Sequence, residues 1–429
     1  PVAATWEAIA KPAGFPALVN VDGKWAAGEN DLTTGTLQLG GTRTPFFLGS
    51  AGVGSDALSL NLVELAGLFP TGAALGGTVS GSFEANGARA MLDFENVLVK
   101  LGEAMPPLGF HGPAKRDGEQ WTFNGLDLTY SGHVTRVILD KGSDGWSGSL
   151  TGGALDLDQI TADYAAWNRW WAGDEAVEPM EESAPFAIGT IQLALDTLRW
   201  GDAAVSDVRG ELTQAGNDAI FSNLQFKSGD GRGTGTVVWQ GRDGAGNTDR
   251  VDLDLVLMSI DLGLIESLIS EDSRDMSGAV DGRVVLSIPL YEDDTPLLNG
   301  MDGTISFSAR NGTLGKAGLA SKFLTALRTT DILRLRIPSL RDKGVTFTAL
   351  AGDLTIESGV FTMSPYHMED STYVIDAEAV LDFPKDTAEG HIDLQILEGV
   401  TGVANNIPFL GDAAEMMNKA FGMELLIGG

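Results

Sequence analysis

Residues 251–257 read VDLDLVL, and this stretch decides the fold. Val251, Leu253, Leu255 and Leu257 alternate with Asp252 and Asp254. A backbone whose side chains alternate between two faces gathers the aliphatic set on one side and the carboxylates on the other. A helix would scatter the same residues around its surface. The grammar recurs in GTISFSA at 303–309, where Ile305, Phe307 and Ala309 oppose Thr304, Ser306 and Ser308. In YVIDAEAVLDF at 373–383 the apolar set is Tyr373, Ile375, Ala377, Ala379, Leu381 and Phe383. LSLNL from Leu58, TIQLAL from Thr190 and HIDLQI from His391 repeat it. Each is a half-buried antiparallel strand, so the chain is expected to be all-β.

Turn signals separate these runs. Asp-Gly pairs at 22–23, 117–118, 144–145, 230–231, 243–244, 281–282 and 302–303 suit type I′ hairpins, which need positive φ at both central residues. Gly282 also sits inside the alternation of VDGRVVLSI, where a bulge or a mid-strand glycine is the other reading. Helical stretches are short: TWEAIA from Thr5, DLDQITADYAAWNRWW from Asp156, DLGLIESLIS from Asp261, KAGLASKFLTAL from Lys316 and AAEMMNKAF from Ala413.

Three of these segments form a degenerate repeat. LSLNLVELAGLF, GALDLDQITADY and LMSIDLGLIESLI each run from a strand through a polar residue into a short apolar helix. Asn61, Asp156 and Asp261 occupy the shared polar position, roughly 100 residues apart, a long period for a solenoid. Each is expected to cap its helix by accepting a bond from a free backbone N–H. AGDEAVEPMEESAP, from Ala172 to Pro185, has five carboxylates and no periodicity and reads as an exposed linker. The organisation is therefore 1–171, a linker over 172–185, and 186–429, both halves sharing one strand grammar.

The chain has 429 residues, a net charge of -31 and no cysteine. Such a charge repels polyanions, so nucleic acid is not an expected partner. Without cysteine there is neither a disulfide framework nor a thiolate metal site. No apolar run approaches the roughly 20 residues that span a bilayer. The opening PVAATWEAIAKPAGFP lacks a basic-then-apolar pattern, so an exported or anchored form would carry a segment ahead of Pro1.

Catalytic signatures are missing. His111, His133, His367 and His391 form no HExxH or triad-like setting. The many carboxylates fall on strand faces and in turns, where solvated surface charge is the ordinary reading. SGDGRGTGTVVW runs into a strand, whereas a phosphate loop precedes a helix. RDGAGNTD, with Asp243, Asn247 and Asp249, matches neither an EF-hand nor a nonapeptide calcium repeat. No catalytic residue, cofactor or metal is expected. Trp167, Trp170 and Trp171 crowd one predicted helix and read as core packing, a lipid-facing role being the alternative.

The C-terminal stretch resembles the C-terminal region of AsmA-like proteins. The likeness is an ordered grammar over 303–396: a strand, an Asn-Gly turn at Asn311-Gly312, a helix, then a hairpin around Phe347, Gly352 and Gly359. It continues through the strand carrying Ile375 to NIPFLGD at 406–412. The segment VDLDLVLMSIDLGLIESLISEDSRDMSGAVDGRVVLSI is similar to that family's repeated unit.

The resemblance implies an elongated, twisted antiparallel sheet with a few short helices, curled lengthwise into a groove with apolar residues inside. It implies a periplasmic protein, anchored in the inner membrane by an N-terminal helix, that carries phospholipid toward the outer membrane and its proteins. Strand parity then nominates Leu253, Leu255, Val284, Leu286, Ile305, Phe307, Ile375 and Leu381 as the groove lining. Covering each lipid CH₂ is worth about 0.8 kcal/mol, so two acyl chains need no specific polar contact. The rival readings are a packed structural scaffold, an outer-membrane assembly factor without lipid cargo, and a carbohydrate-active enzyme with paired carboxylates.

Overall fold

A computed structural model describes residues 3–10, 19–26, 33–39, 42–49, 52–63, 74–84, 89–100, 106–142, 145–160, 162–163, 188–241, 249–269, 276–290, 296–314, 345–385, 387–397 and 421–427. The chain is all-β, with short helical pieces and a long mixed sheet that does not close on itself. It divides into two compact units, Pro1–Leu198 and Arg199–Gly429. The linker expected at 172–185, the tryptophans at 167, 170 and 171, and the helices expected from 316 and 413 lie outside the described residues. So do residues 243–247 of RDGAGNTD and the NIPFLGD segment.

In the first unit the strands are β1 (Ala3–Ala10), β2 (Val19–Ala26), β3 (Thr33–Leu39), β4 (Thr42–Gly49), β5 (Gly52–Asn61), β6 (Ala74–Phe83) and β7 (Arg89–Lys100). They continue with β8 (Leu108–Asp117), β9 (Gln120–Tyr130), β10 (His133–Gly142), β11 (Gly145–Thr151), β12 (Ala154–Asp156) and β13 (Ile188–Trp200). From β1 to β11 each strand pairs antiparallel with the next. β13 departs from the expected antiparallel order and pairs parallel with β11. The segment from Gly152 to residue 187 is long enough for the crossover that parallel neighbours require. TWEAIA, expected to be helical, lies in β1. Its six residues are too few to separate the two periods, and pairing with β2 decides the matter.

The second unit is an antiparallel meander of β14 (Ala203–Ala215), β15 (Asp218–Ser228), β16 (Gly231–Gln240), β17 (Asp249–Asp261), β18 (Ser277–Leu290) and β19 (Asp302–Leu314). It continues through β20 (Val345–Glu357), β21 (Val360–Glu369), β22 (Tyr373–Asp382), β23 (Thr387–Ile396) and β24 (Phe421–Ile427). One helix, α1 (Leu262–Ile269), follows β17, and a 3-10 turn at Leu297–Gly300 follows β18. These two sit at opposite ends of the strands, because β17 and β18 are antiparallel neighbours.

The three capping positions behave alike. Asn61 Oδ1 accepts from Val63 N at 3.1 Å, Asp156 Oδ1 from Gln159 N at 3.0 Å and Asp261 Oδ1 from Gly263 N at 3.0 Å. Each acceptor satisfies a donor that the first helical turn leaves free. The repeat read from the sequence is thus a structural one: strand, side-chain cap, helical turn.

The turn chemistry differs from expectation. Of the Asp-Gly pairs, Asp117-Gly118 falls at the β8–β9 turn, whereas Gly23 and Gly282 lie within β2 and β18. Gly231 and Gly303 lie at the beginnings of β16 and β19. At Gly282 a Cβ would come within 2.6 Å of Ser306 O, so the glycine permits close approach of β19. Type I′ geometry occurs instead at Ser131-Gly132 (φ 49° and 82°) and Ser358-Gly359 (φ 49° and 78°). Asn311-Gly312, expected to turn the chain, is a bulge inside β19: Asn311 has φ 50° and the β18 register slips there. Asn96, Asn223 and Ser259 take the same left-handed conformation where the registers of β7, β15 and β17 shift. Such bulges bend the strand and tighten its twist, so both units are built from bent strands.

Candidate functional site

The registers of the second unit place one apolar row across ten strands. It runs Leu212, Phe221, Val237, Leu253, Leu286, Gly303, Ile356, Phe361, Leu381 and Ala388, from β14 to β23. The adjoining row on the same face runs Gly235, Leu255, Val284, Ile305, Leu354, Met363, Ala379 and Gly390. A third carries Gly282, Phe307 and Gly352, and a fourth Val280, Ala309, Leu350, Met368 and Ile375. All eight residues nominated from the sequence therefore share one face. Every one of them is half-buried and keeps partial contact with solvent.

Two sealed clusters flank the open part of this face. At the α1 end, Leu262, Val280, Ala309, Phe347, Leu350, Tyr366, Met368 and Tyr373 are buried, with Phe307 and Ile375 packed against them. At the other end, Met301, Ile356 and Phe361 are buried beside Leu286, Ile305 and Leu381, under the 3-10 turn residue Leu298. Phe361 meets Phe383 edge-on at 4.8 Å. Leu253, Leu255 and Val284 belong to neither cluster. They form the middle of the face toward β17, where nothing in those clusters packs.

Phe307 occupies the third row, at the edge of the α1-end cluster. It lies between Gly282 on β18 and Gly352 on β20, and a Cβ on Gly352 would stand 3.2 Å from its ring. The ring lies over a strand that offers no side chain of its own.

The opposite face is polar. Arg283 and Asp254 form a two-pronged ion pair at 3.1 and 3.0 Å, and Arg310 reaches Asp281 at 2.6 Å, each bridging adjacent strands. The pairing with Arg283 holds the Asp254 carboxyl below its ordinary range. His367 Nδ1 stands 2.7 Å from Asp376 Oδ1, also between neighbouring strands. These pairs are solvent-exposed, so each adds little stability. Their consequence is orientation: these charges lie on one face of the sheet and the apolar rows on the other. A cavity of about 300 Å³ is lined by Thr236, Val238, Asp252, Val285 and Ser287 together with Leu253, Leu286 and Gly303.

Chemistry is sparse on either side. Burial pushes the Tyr366 hydroxyl well above its ordinary range. Burial, reinforced by Asp370, pushes Tyr373 up to about 12. Both are held as neutral phenols beneath α1, where they act as packing groups. Among the described residues no three His, Asp or Glu side chains are arranged to hold a metal. Neither a family model, nor a curated protein, nor a solved structure matches this chain. No helix among the described residues is long and apolar enough to cross a membrane.

Proposed function

We propose that this protein is a non-enzymatic lipid carrier of the AsmA-like kind, whose apolar face receives phospholipid acyl chains in the periplasm. One observation carries the reading: apolar rows continuous over as many as ten strands, still partly open to solvent, backed by an ion-paired polar face. An apolar sheet face of that extent is costly to leave wet, at about 25 cal/mol per Å². Hydrocarbon is the simplest cover for a face that offers no polar anchor along its middle. Movement between inner and outer membrane, and attachment to the inner membrane through an N-terminal helix, rest on the sequence resemblance.

A second reading has a specific observation behind it. Phe307, Ile375, Leu286, Ile305 and Leu381 already pack against the chain's own buried clusters, as a self-filled scaffold would have them do. Native mass spectrometry of the purified chain separates the two. Lipid carriage predicts mass increments that match extractable phospholipid; a bare mass under conditions that retain noncovalent lipid favours the scaffold.

A further inference from the structure

The first unit has an apolar face of the same construction. Leu58, Gly81, Leu92, Ala114, Phe123, Leu139, Gly148 and Ile191 lie in one row from β5 to β13. One step nearer the strand ends, the next row on this face changes character. Arg116 on β8 is opposite Trp121 on β9, and Lys141 on β10 is opposite Trp146 on β11. Leu139 faces Phe123, so Lys141, two residues on, shares the face of Phe123 and Trp121. The order across four adjacent strands is therefore cation, indole, cation, indole.

The side chains bear this out. The Arg116 guanidinium lies 5.5 Å from the Trp121 ring centroid and donates from Nε to Gly118 O at 2.9 Å. Trp121 stacks on Phe123 at 6.1 Å, and Phe123 on Trp146 at 5.7 Å, a continuous aromatic run that bridges over β10. Both tryptophans and Arg116 are half-buried, and Lys141 is exposed.

What sets the charges of this row apart is the face they occupy. Arg89, Arg136, Lys227, Arg283, Arg310 and Lys385 pair with carboxylates, whereas Lys100, Lys115, Arg199 and Arg250 have no such pair among the described residues. Among the described residues neither Arg116 nor Lys141 has an ion-pair partner. The carboxylates next to them in sequence, Asp117 and Asp140, fall on the other face by strand parity, and Asp117 is held by Arg89 at 3.3 Å. Two cations thus stand on the apolar side of a protein whose net charge is -31.

We infer that Arg116, Trp121, Lys141 and Trp146 form a headgroup rest for an anionic phospholipid whose acyl chains lie on the adjoining Leu92–Phe123–Leu139 row. The inference rests on the lipid-carrier reading and adds the ligand's charge and the place of its phosphate. Guanidinium and ammonium groups take phosphate oxygens by charge-assisted hydrogen bonds. Indole rings suit the boundary between a polar headgroup and hydrocarbon. An uncharged lipid would leave both cations unmatched, so the row selects for a phosphate next to an apolar tail.

The test compares two probes with identical acyl chains, dipalmitoyl phosphatidic acid and dipalmitoylglycerol, titrated against the full chain by native mass spectrometry. The wild type should prefer phosphatidic acid at least tenfold, and raising the salt should shrink that preference. The double variant Arg116→Gln/Lys141→Gln should bring the two lipids to near parity without weakening dipalmitoylglycerol. The exchange Arg116→Lys/Lys141→Arg should restore most of the preference, which a merely structural role for the row would not explain. If the wild type shows no preference while both lipids bind, or if the Gln variant keeps it, the headgroup rest is overturned and the lipid-carrier reading stands. If neither lipid binds, both fall. Competition by inorganic phosphate alone at equal concentration would assign the cations to a free anion and overturn the headgroup assignment. Should the Gln variant not fold, the wild-type preference and its salt dependence decide the matter alone.

Discussion

Truncating Leu255 and Ile356 to alanine should have unequal consequences. Ile356 is 2% exposed and sits in the cluster with Met301 and Phe361. Its replacement removes buried carbon and leaves a cavity, at about 2–5 kcal/mol. Leu255 lies between Gly235 and Val284 on the open part of the same face and is only half-buried. Removing its three apolar carbons at about 0.8 kcal/mol each gives an upper bound near 2.4 kcal/mol. Partial exposure, and a glycine neighbour that builds no cavity wall, bring this to about 1 kcal/mol. Urea unfolding of the delipidated chain should therefore separate the two variants by about 1–4 kcal/mol. Lipid binding should reverse the order, with Leu255→Ala weakened several-fold and Ile356→Ala, where folded, close to wild type. If Leu255→Ala destabilises the delipidated chain as much as Ile356→Ala, the face is a sealed core and the reasoning fails.

Asp261→Ala should cost about 1 kcal/mol by removing the acceptor for Gly263 N, and Asp261→Asn much less; equal melting curves for the two would remove the cap from the account. Gly303→Ala should be severe, because at φ 144° its Cβ would meet Val285 O at 2.1 Å. A loss of at least about 2 kcal/mol in thermal or urea unfolding is expected, since backbone must move to accept the methyl group. Stability should also fall as pH rises from 10 toward 12, because Tyr373 ionises first in the unfolded chain and keeps its proton in the folded one. Tyr373→Phe should flatten that part of the pH profile, and an unchanged profile would assign the loss to other groups.

The alternation in VDLDLVL and GTISFSA made the strands and their faces legible, because one residue of slip would have reversed every side chain. The eight nominated residues fall on one face for that reason. Caps were equally readable: Asn61, Asp156 and Asp261 each precede an apolar helical run. Turns were not, because Asp-Gly and Asn-Gly satisfy hairpins, bulges and close strand contacts alike. Asn311 shows this, a residue of the expected turn type placed in a bulge. The bulge at Asn96 offered only the general tolerance of asparagine for positive φ, and the bulge at Ser259 had no sequence signal. Nor did the row of Arg116, Trp121, Lys141 and Trp146, which belong to four strands and meet only through register. The parallel pairing of β13 with β11 depends on where a long connection returns, which no local pattern records.

The central claim is that hydrocarbon lies against the apolar face. Photocrosslinking tests it most directly, with a short reactive side chain placed at Leu255 or Phe307 and, as controls, at Asp254 or Ser306 on the opposite face. The account predicts lipid adducts from the first pair well above those from the second, in protein purified with its native lipid. Equal capture from both faces would contradict it and leave the self-packed scaffold as the better description.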